Sequence, residues 1–451
     1  MRAALETLRG TFQGDVVEPG ADEYEAAAAT VLVTGRPVVV LRPAGVADVQ
    51  AAVRFVAEAG LPVAVRGGGH SFPGFGTNDG GIVIDLGRIA DVEVDAGSRQ
   101  VRIGGGATWG AVATALAPHH LAISSGDTRG VGVGGLTLSG GIGWKVRKYG
   151  LALDALVGAE VVTADGALVH TSEEENAELF WALRGGGGNL GIVTAFEFVA
   201  HPTTDVFHGR IAFPAADLEA VLQGWADYMR TAPEDLTSLV TFANPFAGGP
   251  DAPVEVYVAV DHDDAGRAAA ALDPIRRLGT VIADEVELKP YADVLVDAPT
   301  PPPGIRLGSR SGFVERESVG AALRILAEVG AKPQSPLFAV RSVGGAVAQV
   351  PDDATAYAHR SAELMVVSMS AGPAPVLEAT RPALDAIWGR LAPHVSGAYA
   401  NFLSDAAESD VTAVYPEKTY RRLAAVKREY DPANLFAGNH NVNVAQSMNI
   451  D

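Results

Sequence analysis

Three glycine-rich runs between residues 66 and 191 are the part of this sequence best suited to holding a phosphate-bearing ligand. The first run is Arg66-Gly67-Gly68-Gly69-His70-Ser71, and the other two span 131–143 and 185–191. Consecutive glycines after a strand leave several backbone N–H groups free to point at one phosphate, with no side chain in the way. A single run of this kind is equally typical of a tight turn. Three runs beside strands favour a long ligand, such as a dinucleotide, that threads between several stretches of backbone.

The third run matches the spacing of the nicotinamide-dinucleotide fingerprint, Gly186-x-Gly188-x-x-Gly191, but not its context. That fingerprint needs a strand before the glycines and a helix after them, so that the pyrophosphate meets a helix N-terminus. Here a predicted helix (176–183) precedes the glycines and a predicted strand (192–198) follows them. The sequence therefore argues against an NAD-binding Rossmann unit. It also contains no phosphate loop ending in Gly-Lys-Ser/Thr.

Strands and helices alternate around these runs. Apolar residues at helical spacing predict a helix over 46–59 that stops at Gly60, and a helix over 108–117 that Thr108 caps. Short apolar runs predict strands at 37–40, 63–65, 82–86 and 100–103, and a hairpin of 159–163 with 168–171. After residue 204, strand-like runs at 254–260, 337–343 and 364–369 alternate with helical patterns at 218–229 and 265–278. Pro274 is expected to kink or break the second of these helices.

The chain ends in a charged helix, 418–430, that Asp431-Pro432 terminates, and the proline-rich segment 299–303 predicts a loop. Because helices and strands are interleaved throughout, we predict an α+β protein with at least two domains. A length of 451 residues is typical of a chain with two or three domains.

Composition excludes several classes of partner and site. Lys and Arg total 34 against 54 Asp and Glu, which gives a net charge of −20. Such a surface repels nucleic acid and anionic lipid, so we expect neither a nucleic-acid nor a membrane partner. The chain has no cysteine, which excludes disulfides, thiolate metal ligands and a thiol nucleophile, and we expect no metal site. No signal-peptide core is recognised near the N-terminus, and a cytoplasmic location is expected.

Five segments resemble the vanillyl-alcohol-oxidase (PCMH-type) superfamily of FAD-linked oxidases, in its berberine-bridge-enzyme-like branch. They are VAVRGGGHSFPGFGTNDGGIVIDL (63–86), GDTRGVGVGGLTLSGGIGW (126–144), RKYGLALDALVGAEVVTADG (147–166), LFWALRGGGGNLGIVTAFEF (179–198) and YRRLAAVKREYDPANLFAGNHNV (420–442). The resemblance implies an FAD-binding domain of two subdomains (1–203). It further implies a substrate domain with an antiparallel sheet flanked by helices (204–395), and a C-terminal segment (396–451) that returns to the FAD domain.

The resemblance also implies that the flavin is attached covalently through the imidazole of His70 to its 8α-methyl carbon. Many relatives add a second tether from a cysteine, and the position that aligns with it here is Thr128. Since the chain has no cysteine, a single histidyl link is expected.

Further cofactor contacts are implied by the same alignment. The segment from Arg66 to Ser71, with Gly76 and Thr77, would hold the pyrophosphate and the ribityl chain. Gly132, Gly134, Gly135, Gly141 and Val193 would contact the adenine half, and Asn439 and Asn441 would approach the flavin. Val131 occupies the position that governs access of O2 in relatives. A small side chain there favours an oxidase, although valine is also an ordinary core residue.

The candidates for catalysis are Tyr399, Asn401 and Arg341. Tyr399 would serve as base or hydrogen-bond donor, Asn401 would orient a polar group, and Arg341 would polarise the flavin edge or a substrate carbonyl. The alternative is a purely structural role for each: Tyr399 as a half-buried strand residue, Asn401 as a turn residue and Arg341 as a partner in a surface ion pair. The segment that contains Tyr399 and Asn401 resembles the strand leading back to the flavin domain.

Three functions remain open from the sequence. The first is an oxidase that transfers a hydride from a small alcohol or amine to FAD and then reduces O2 to H2O2. The second is a tailoring enzyme of natural-product assembly, acting by oxidative ring closure or flavin–oxygen transfer. The third is a catalytically silent flavin-binding protein. The expected partners are a small-molecule substrate and O2, and the expected assembly is a monomer or a homodimer.

Overall fold

The computed structural model of the chain describes residues 2–298, 301–302 and 304–444. Three positions of the proline-rich segment 299–303, predicted as a loop, lie outside the described residues. In the described part, no helix has the length and apolar character needed to cross a bilayer.

The first two hundred residues form a four-stranded sheet, a five-stranded sheet and a small two-stranded sheet, with helices packed on them. Their elements are α1 (Arg2–Arg9), β1 (Asp15–Val17), α2 (Tyr24–Ala28), β2 (Val39–Arg42), α3 (Val46–Ala59), β3 (Val63–Arg66), β4 (Ile82–Asp85), β5 (Val92–Asp95), β6 (Gln100–Gly104), α4 (Trp109–Leu116), β7 (Leu121–Ala122), α5 (Val133–Leu138), α6 (Val146–Tyr149), β8 (Leu156–Val162), β9 (Leu168–Ser172), α7 (Ala177–Leu183), β10 (Ile192–Val199) and β11 (His201–Pro202).

The first sheet has the strand order β1-β2-β4-β3 and places the first glycine run at its edge. Strands β2, β4 and β3 are parallel, and β1 is antiparallel to β2. Val39–Leu41 and 82–84 are fully buried apolar runs, as expected for parallel strands covered on both faces. Helix α3 connects β2 to β3 and ends at Gly60, whose φ of +64° lies in the left-handed region that favours glycine. The loop 67–71 follows directly from the end of β3.

The second sheet is antiparallel in the order β5-β6-β10-β8-β9. The β8–β9 hairpin turns at 163–167, as predicted, and β10 lies at the centre of the sheet. Helix α7 precedes the third glycine run and β10 follows it, so the order that excluded a Rossmann unit is confirmed. The second run differs from the expectation of a glycine loop beside a strand, because residues 133–138 of it form helix α5.

The central part of the chain builds one large antiparallel sheet. Its elements are β12 (Val206–Phe213), α8 (Leu218–Met229), β13 (Leu236–Phe242), β14 (Val254–Val260), α9 (Ala265–Arg276), β15 (Ala283–Asp284), β16 (Glu287–Lys289), β17 (Arg306–Val314), α10 (Val319–Gly330), β18 (Leu337–Ser342), α11 (Ala346–Gln349), β19 (Leu364–Gly372) and α12 (Ala374–Leu391). The strand order is β15-β12-β14-β13-β18-β19-β17, and β16 also pairs with β12. Pro274 lies in the last turn of α9, which continues to Arg276.

The register of this sheet decides which side chains reach the site. In β18, Phe338 and Val340 pack in the core formed with α8, α10 and α12. Because side chains alternate along a strand, Ala339 and Arg341 face the opposite side. That opposite face turns toward the glycine runs and closes a cavity with them.

The chain then returns to the first half of the molecule. Helices α13 (Glu408–Val414) and α14 (Glu417–Tyr430) follow, and Leu423, Ala424 and Val426 of α14 join the core of the second sheet. One expectation is wrong here: the segment of Tyr399 and Asn401 is not a strand. Residues Ala400–Phe402 form a 3-10 turn, and this turn brings both side chains to the cavity. The α+β fold with an antiparallel sheet flanked by helices is confirmed.

Candidate active site

A cavity of about 660 Å³ lies between the glycine runs and the free face of the large sheet. Its volume is within the ~300–1,000 Å³ of typical small-molecule and cofactor sites. All three glycine runs contribute to its walls, as do β18, β19, the 399–402 turn and the C-terminal segment 436–440. One cavity therefore joins the parts of the sequence that carried the functional prediction.

The first glycine run presents a row of backbone donors to this cavity. The amides of Gly68, Gly69, His70 and Ser71 donate no hydrogen bond to any described residue. A glycine is required at 68, because a Cβ there would lie 2.3 Å from the backbone nitrogen of Gly132 in the second run. Successive unpaired amides of this kind form an anion-binding concavity. They fit the pyrophosphate of a dinucleotide.

His70 lies at the end of this row with its ring against Gly130. A Cβ built at Gly130 would be 2.8 Å from Nε2 of His70. Burial lowers the pKa of His70, and a hydrogen bond with the Gly130 backbone opposes that shift only in part. The imidazole is therefore neutral near pH 7, as a nitrogen nucleophile must be. Nε2 faces Gly130, whereas Nδ1 makes no hydrogen bond with the described residues.

Two side chains predicted to hold the pyrophosphate are engaged elsewhere. The guanidinium of Arg66 forms an ion pair with Asp85 at 2.9 Å and donates to the carbonyls of Ala27 and Ala29. The hydroxyl of Thr77 donates to the carbonyl of Ala28 at 2.7 Å, and Thr77 lies outside the cavity wall. Both side chains fix the turn beside the first glycine run. Gly67 and Gly76 line the cavity as expected.

The second and third runs also line the cavity, and the second packs directly against the first. The cavity-lining residues among the predicted contacts are Thr128, Val131, Gly132, Gly134, Gly135 and Val193. Gly141 is not among them, since its amide donates to the hydroxyl of Tyr399 at 2.9 Å behind the wall. Gly187, Gly188 and Gly191 of the third run also line the cavity, and no contact had been assigned to them from the sequence.

The C-terminal segment supplies an acceptor without a donor. Asn439 lines the cavity and donates from Nδ2 to the carbonyl of Phe436 at 3.0 Å. Its Oδ1 atom is buried and has no hydrogen-bond partner among the described residues. A buried orphan acceptor is costly, and a bound N–H or O–H group would satisfy it. Asn439 therefore fits a cofactor that carries such donors, as FAD does.

Asn441, by contrast, acts behind the wall. Its Oδ1 accepts from Lys427, whose ammonium also pairs with Asp431 at 3.3 Å. Burial lowers the pKa of Lys427, and the charge of Asp431 raises it. Asn189, at the centre of the third run, accepts from the amide of Val442 at 2.9 Å. This network ties the third glycine run to the C-terminal segment and so positions Asn439.

Tyr399 and Asn401 reach the cavity from the turn that follows the large sheet. Tyr399 is buried, not half-buried, and its hydroxyl accepts from Asn401 Nδ2 at 3.0 Å and from the amide of Gly141. Burial raises the pKa of Tyr399, while these donors and the charge of Arg341 lower it in part. The phenol therefore keeps its proton at neutral pH. The geometry favours a hydrogen-bond donor over a base.

Arg341 is not a surface residue, and its partner was missed from the sequence. The guanidinium is buried and forms an ion pair with Asp127, the residue before Thr128. Both residues line the cavity. In the sequence, Asp127 is recognisable as an acidic residue in a mostly apolar, glycine-rich stretch. Its pairing with Arg341 could not be predicted, because the two residues lie 214 positions apart.

Two family models match separate parts of the chain, and a full-length relative covers most of it. Residues 37–172 match the family model described as FAD binding domain, and 398–443 match the model described as berberine and berberine like. The (R)-6-hydroxynicotine oxidase of Paenarthrobacter nicotinovorans is 33% identical, and the alignment covers 96% of this chain and 97% of that protein. This relative agrees with the resemblance to a nicotine oxidase expected from the segments TNDGGIV (77–83) and RLAAVKREYDP (422–432).

Solved structures agree. The crystal structure of 6-hydroxy-D-nicotine oxidase from Arthrobacter nicotinovorans is 29% identical, with a TM-score of 0.86 over 96% of this chain and 98% of that one. Glucooligosaccharide oxidase from Acremonium strictum is 25% identical, with a TM-score of 0.88 over 98% and 99% of the two chains. The row of free amides, the orphan acceptor of Asn439 and these relatives all fit FAD as the cofactor.

Proposed function

Because this chain belongs to the berberine-bridge-enzyme-like family of FAD-linked oxidoreductases, we propose that it is an oxidase with FAD attached to His70 that acts on a small alcohol or amine. The proposal includes O2 as the second substrate and H2O2 as the product. It also places the protein in the cytoplasm, on the sequence grounds given above.

The observation that carries the proposal is the position of His70. Its neutral ring ends a row of unpaired backbone amides, and its Nδ1 atom is unused by the described residues. The glucooligosaccharide oxidase of Acremonium strictum carries a 6-S-cysteinyl, 8α-N1-histidyl FAD. This chain has no cysteine, so only the histidyl half of such a double link is available to it. The proposed link is therefore a single bond from Nδ1 of His70 to the flavin 8α carbon, which would replace one C–H bond of the methyl group, with O2 taking up the two electrons and two protons released.

Bound FAD would supply the two-electron chemistry: it would accept a hydride from a substrate carbon and pass two electrons to O2, and the hydride's proton and the proton released from the substrate hydroxyl or amine would complete H2O2. The chain's own residues bind and orient the substrate against it. The protonated hydroxyl of Tyr399 donates to a substrate oxygen or nitrogen, and Asn401 holds that hydroxyl in place at 3.0 Å. The apolar face of the large sheet excludes water from the reacting atoms.

Access of O2 is assigned to the side of Val131. This residue is partly buried, lines the cavity and contacts the core of the second sheet. Its side chain is short, so it leaves room beside the wall that carries Thr128. An oxidase requires such a path, whereas a dehydrogenase does not.

Two measurements test the proposal. Acid-precipitated protein should retain its yellow colour and the added mass of FAD; His70→Ala should lose both from the pellet, and His119→Ala, at an exposed histidine, should keep both. Photoreduced enzyme mixed with air should recover its oxidised spectrum within seconds and release H2O2. Release of all colour into the acid supernatant would refute the covalent link. Reoxidation over many minutes would refute the oxidase function. If no alcohol or amine bleaches the flavin under anaerobic conditions, the protein is a catalytically silent flavin-binding protein.

A further inference from the structure

The ion pair of Asp127 and Arg341 crosses the cavity wall between the two halves of the molecule. Asp127 follows β7 in the N-terminal half, and Arg341 lies on β18 of the large sheet. The backbone around Asp127 is fixed by an additional contact, since its carbonyl accepts from the amide of Val296 at 3.0 Å. The pair is therefore a built feature of the cavity and not a chance contact of two flexible side chains.

Arg341 uses only part of its hydrogen-bonding capacity. Within the described residues, only Nη2 donates, to Oδ2 of Asp127. Nε and Nη1 donate to no described residue and are not fully enclosed, and the Arg341 side chain lines the cavity. An arginine that is 8% exposed thus offers free donors almost solely to a cavity ligand.

Asp127 offers the complementary group. Its Oδ1 atom accepts only a long, 3.4 Å hydrogen bond from the hydroxyl of Thr128. A free acceptor and free donors therefore lie side by side, on two residues whose charges cancel. Asp297 is the other carboxylate at this cavity, but it is exposed to solvent, where water screens its charge.

The cavity that the pair faces is lined mostly by apolar side chains. They include Leu307, Ala339, Val367, Met369 and Phe402. A carbon skeleton is favoured there, and an ion must give up its hydration to enter. An ammonium would be attracted by Asp127 and repelled by Arg341, and a carboxylate would meet the reverse. Because the two charges of the pair oppose each other, neither ion is attracted by the pair as a whole, whereas each loses hydration on entering.

We infer that Asp127 and Arg341 together bind a substrate hydroxyl, and so select uncharged, largely apolar alcohols over amines and hydroxy acids. A hydroxyl donates to the carboxylate and accepts from the guanidinium at once, without a net charge. The inference rests on the proposed function, since it names which substrates the oxidase takes.

The test uses three compounds that share one benzylic secondary alcohol and differ in charge: 1-phenylethanol, mandelate and 2-amino-1-phenylethanol. Each is mixed anaerobically with the yellow holoenzyme, and the dissociation constant is read from the concentration dependence of flavin bleaching or spectral shift. Wild-type enzyme should bind the neutral alcohol at least about tenfold more tightly than either ion.

Two variants should change this order in opposite directions. Asp127→Asn leaves Arg341 uncompensated, so mandelate should gain about tenfold in affinity; Arg341→Met leaves Asp127 uncompensated, so the amino alcohol should gain instead. Matched controls are Arg310→Met and Asp385→Asn, an ion pair that β17 and α12 form away from the cavity. Both controls should keep the wild-type order.

A purely structural role for the pair would weaken all three compounds alike in both variants, and that result would overturn the inference. It is equally overturned if wild-type enzyme binds an ion best, or if none of the three compounds perturbs the flavin. Flavin attachment and reoxidation by air do not depend on these three compounds. Failure of the inference is therefore distinguishable from failure of the proposed function.

Discussion

Gly130→Ala is the sharpest perturbation of the covalent flavin site, because it moves one ring and little else. A Cβ at 130 would lie 2.8 Å from Nε2 of His70, against about 3.4 Å for ordinary contact, so the imidazole must shift by about 0.6 Å. The φ of Gly130 does not lie in the left-handed region, so the alanine brings no backbone strain of its own. A misplacement of about 1 Å at reacting atoms costs roughly 10²-fold in rate, and a shift of about 0.6 Å is thus expected to slow flavin attachment at least tenfold.

The assay is the growth of acid-stable yellow colour after FAD is added to protein made under riboflavin limitation. Gly130→Ala should still bind FAD through the amides of 68–71, so the flavin should appear in the protein before denaturation and only slowly become acid-stable. Gly389→Ala is the control, since nothing lies within 4 Å of a Cβ at that position in α12. Attachment at the wild-type rate in Gly130→Ala would refute the inference that the contact between Nε2 and position 130 fixes the imidazole in its reactive position.

Three further outcomes are expected. Val131→Leu should slow reoxidation of the reduced enzyme by O2 at least several-fold, measured by stopped-flow absorbance, with anaerobic bleaching by substrate little changed. Lys427→Met leaves the buried carboxylate of Asp431 without its cation, so urea unfolding followed by flavin fluorescence should show a loss of about 3 kcal/mol; an unchanged midpoint would contradict the network around Lys427. Burial lowers the pKa of His201 and His208 from 6.5 to about 4. Between these values the unfolded chain binds protons that the native one does not, so the melting temperature should fall as pH drops from about 6.5 to 4, and less steeply in His208→Phe.

Much of the flavin-binding half was predictable because its signals are local. The helix over 46–59 and its stop at Gly60 are confirmed to the residue, because a short apolar pattern bounded by turn residues predicts them. The same holds, in the large sheet, for the strand over 254–260. The glycine runs also converge on one cavity, as expected from the occurrence of three such runs in one part of the chain. What local pattern could not give is the side-chain direction of Arg66, whose acceptors come from the distant turn 27–29.

Besides the four-residue α11, two long helices beside the large sheet were not predicted, for different reasons. Helix α12 (Ala374–Leu391) buries little but Leu391 and contains Pro382, so it lacks both an apolar stripe and an uninterrupted interior. Helix α10 (Val319–Gly330) has a regular apolar stripe, and its omission reflects no physical obstacle. The covering of the sheet by helices nevertheless followed from the fold class, because an antiparallel sheet this large must bury one face.

The substrate-facing part of the site was harder to predict from the sequence, because the direction of its side chains depends on strand register. Whether Arg341 faces the helices or the cavity depends on a shift of one residue in β18, and that register is set by pairing with β13 and β19, which lie about 100 residues before it and about 25 residues after it. The same register brings Arg341 to Asp127, so one pairing choice creates both halves of the donor–acceptor site. A change that slips β18 by one position would put Val340 in the cavity and the guanidinium in the core against α8 and α10. The cofactor site would survive such a slip, because its glycine runs belong to other sheets, while substrate recognition would not. Cofactor and substrate specificity are thus encoded in separable parts of the chain, the first in local sequence and the second in long-range pairing.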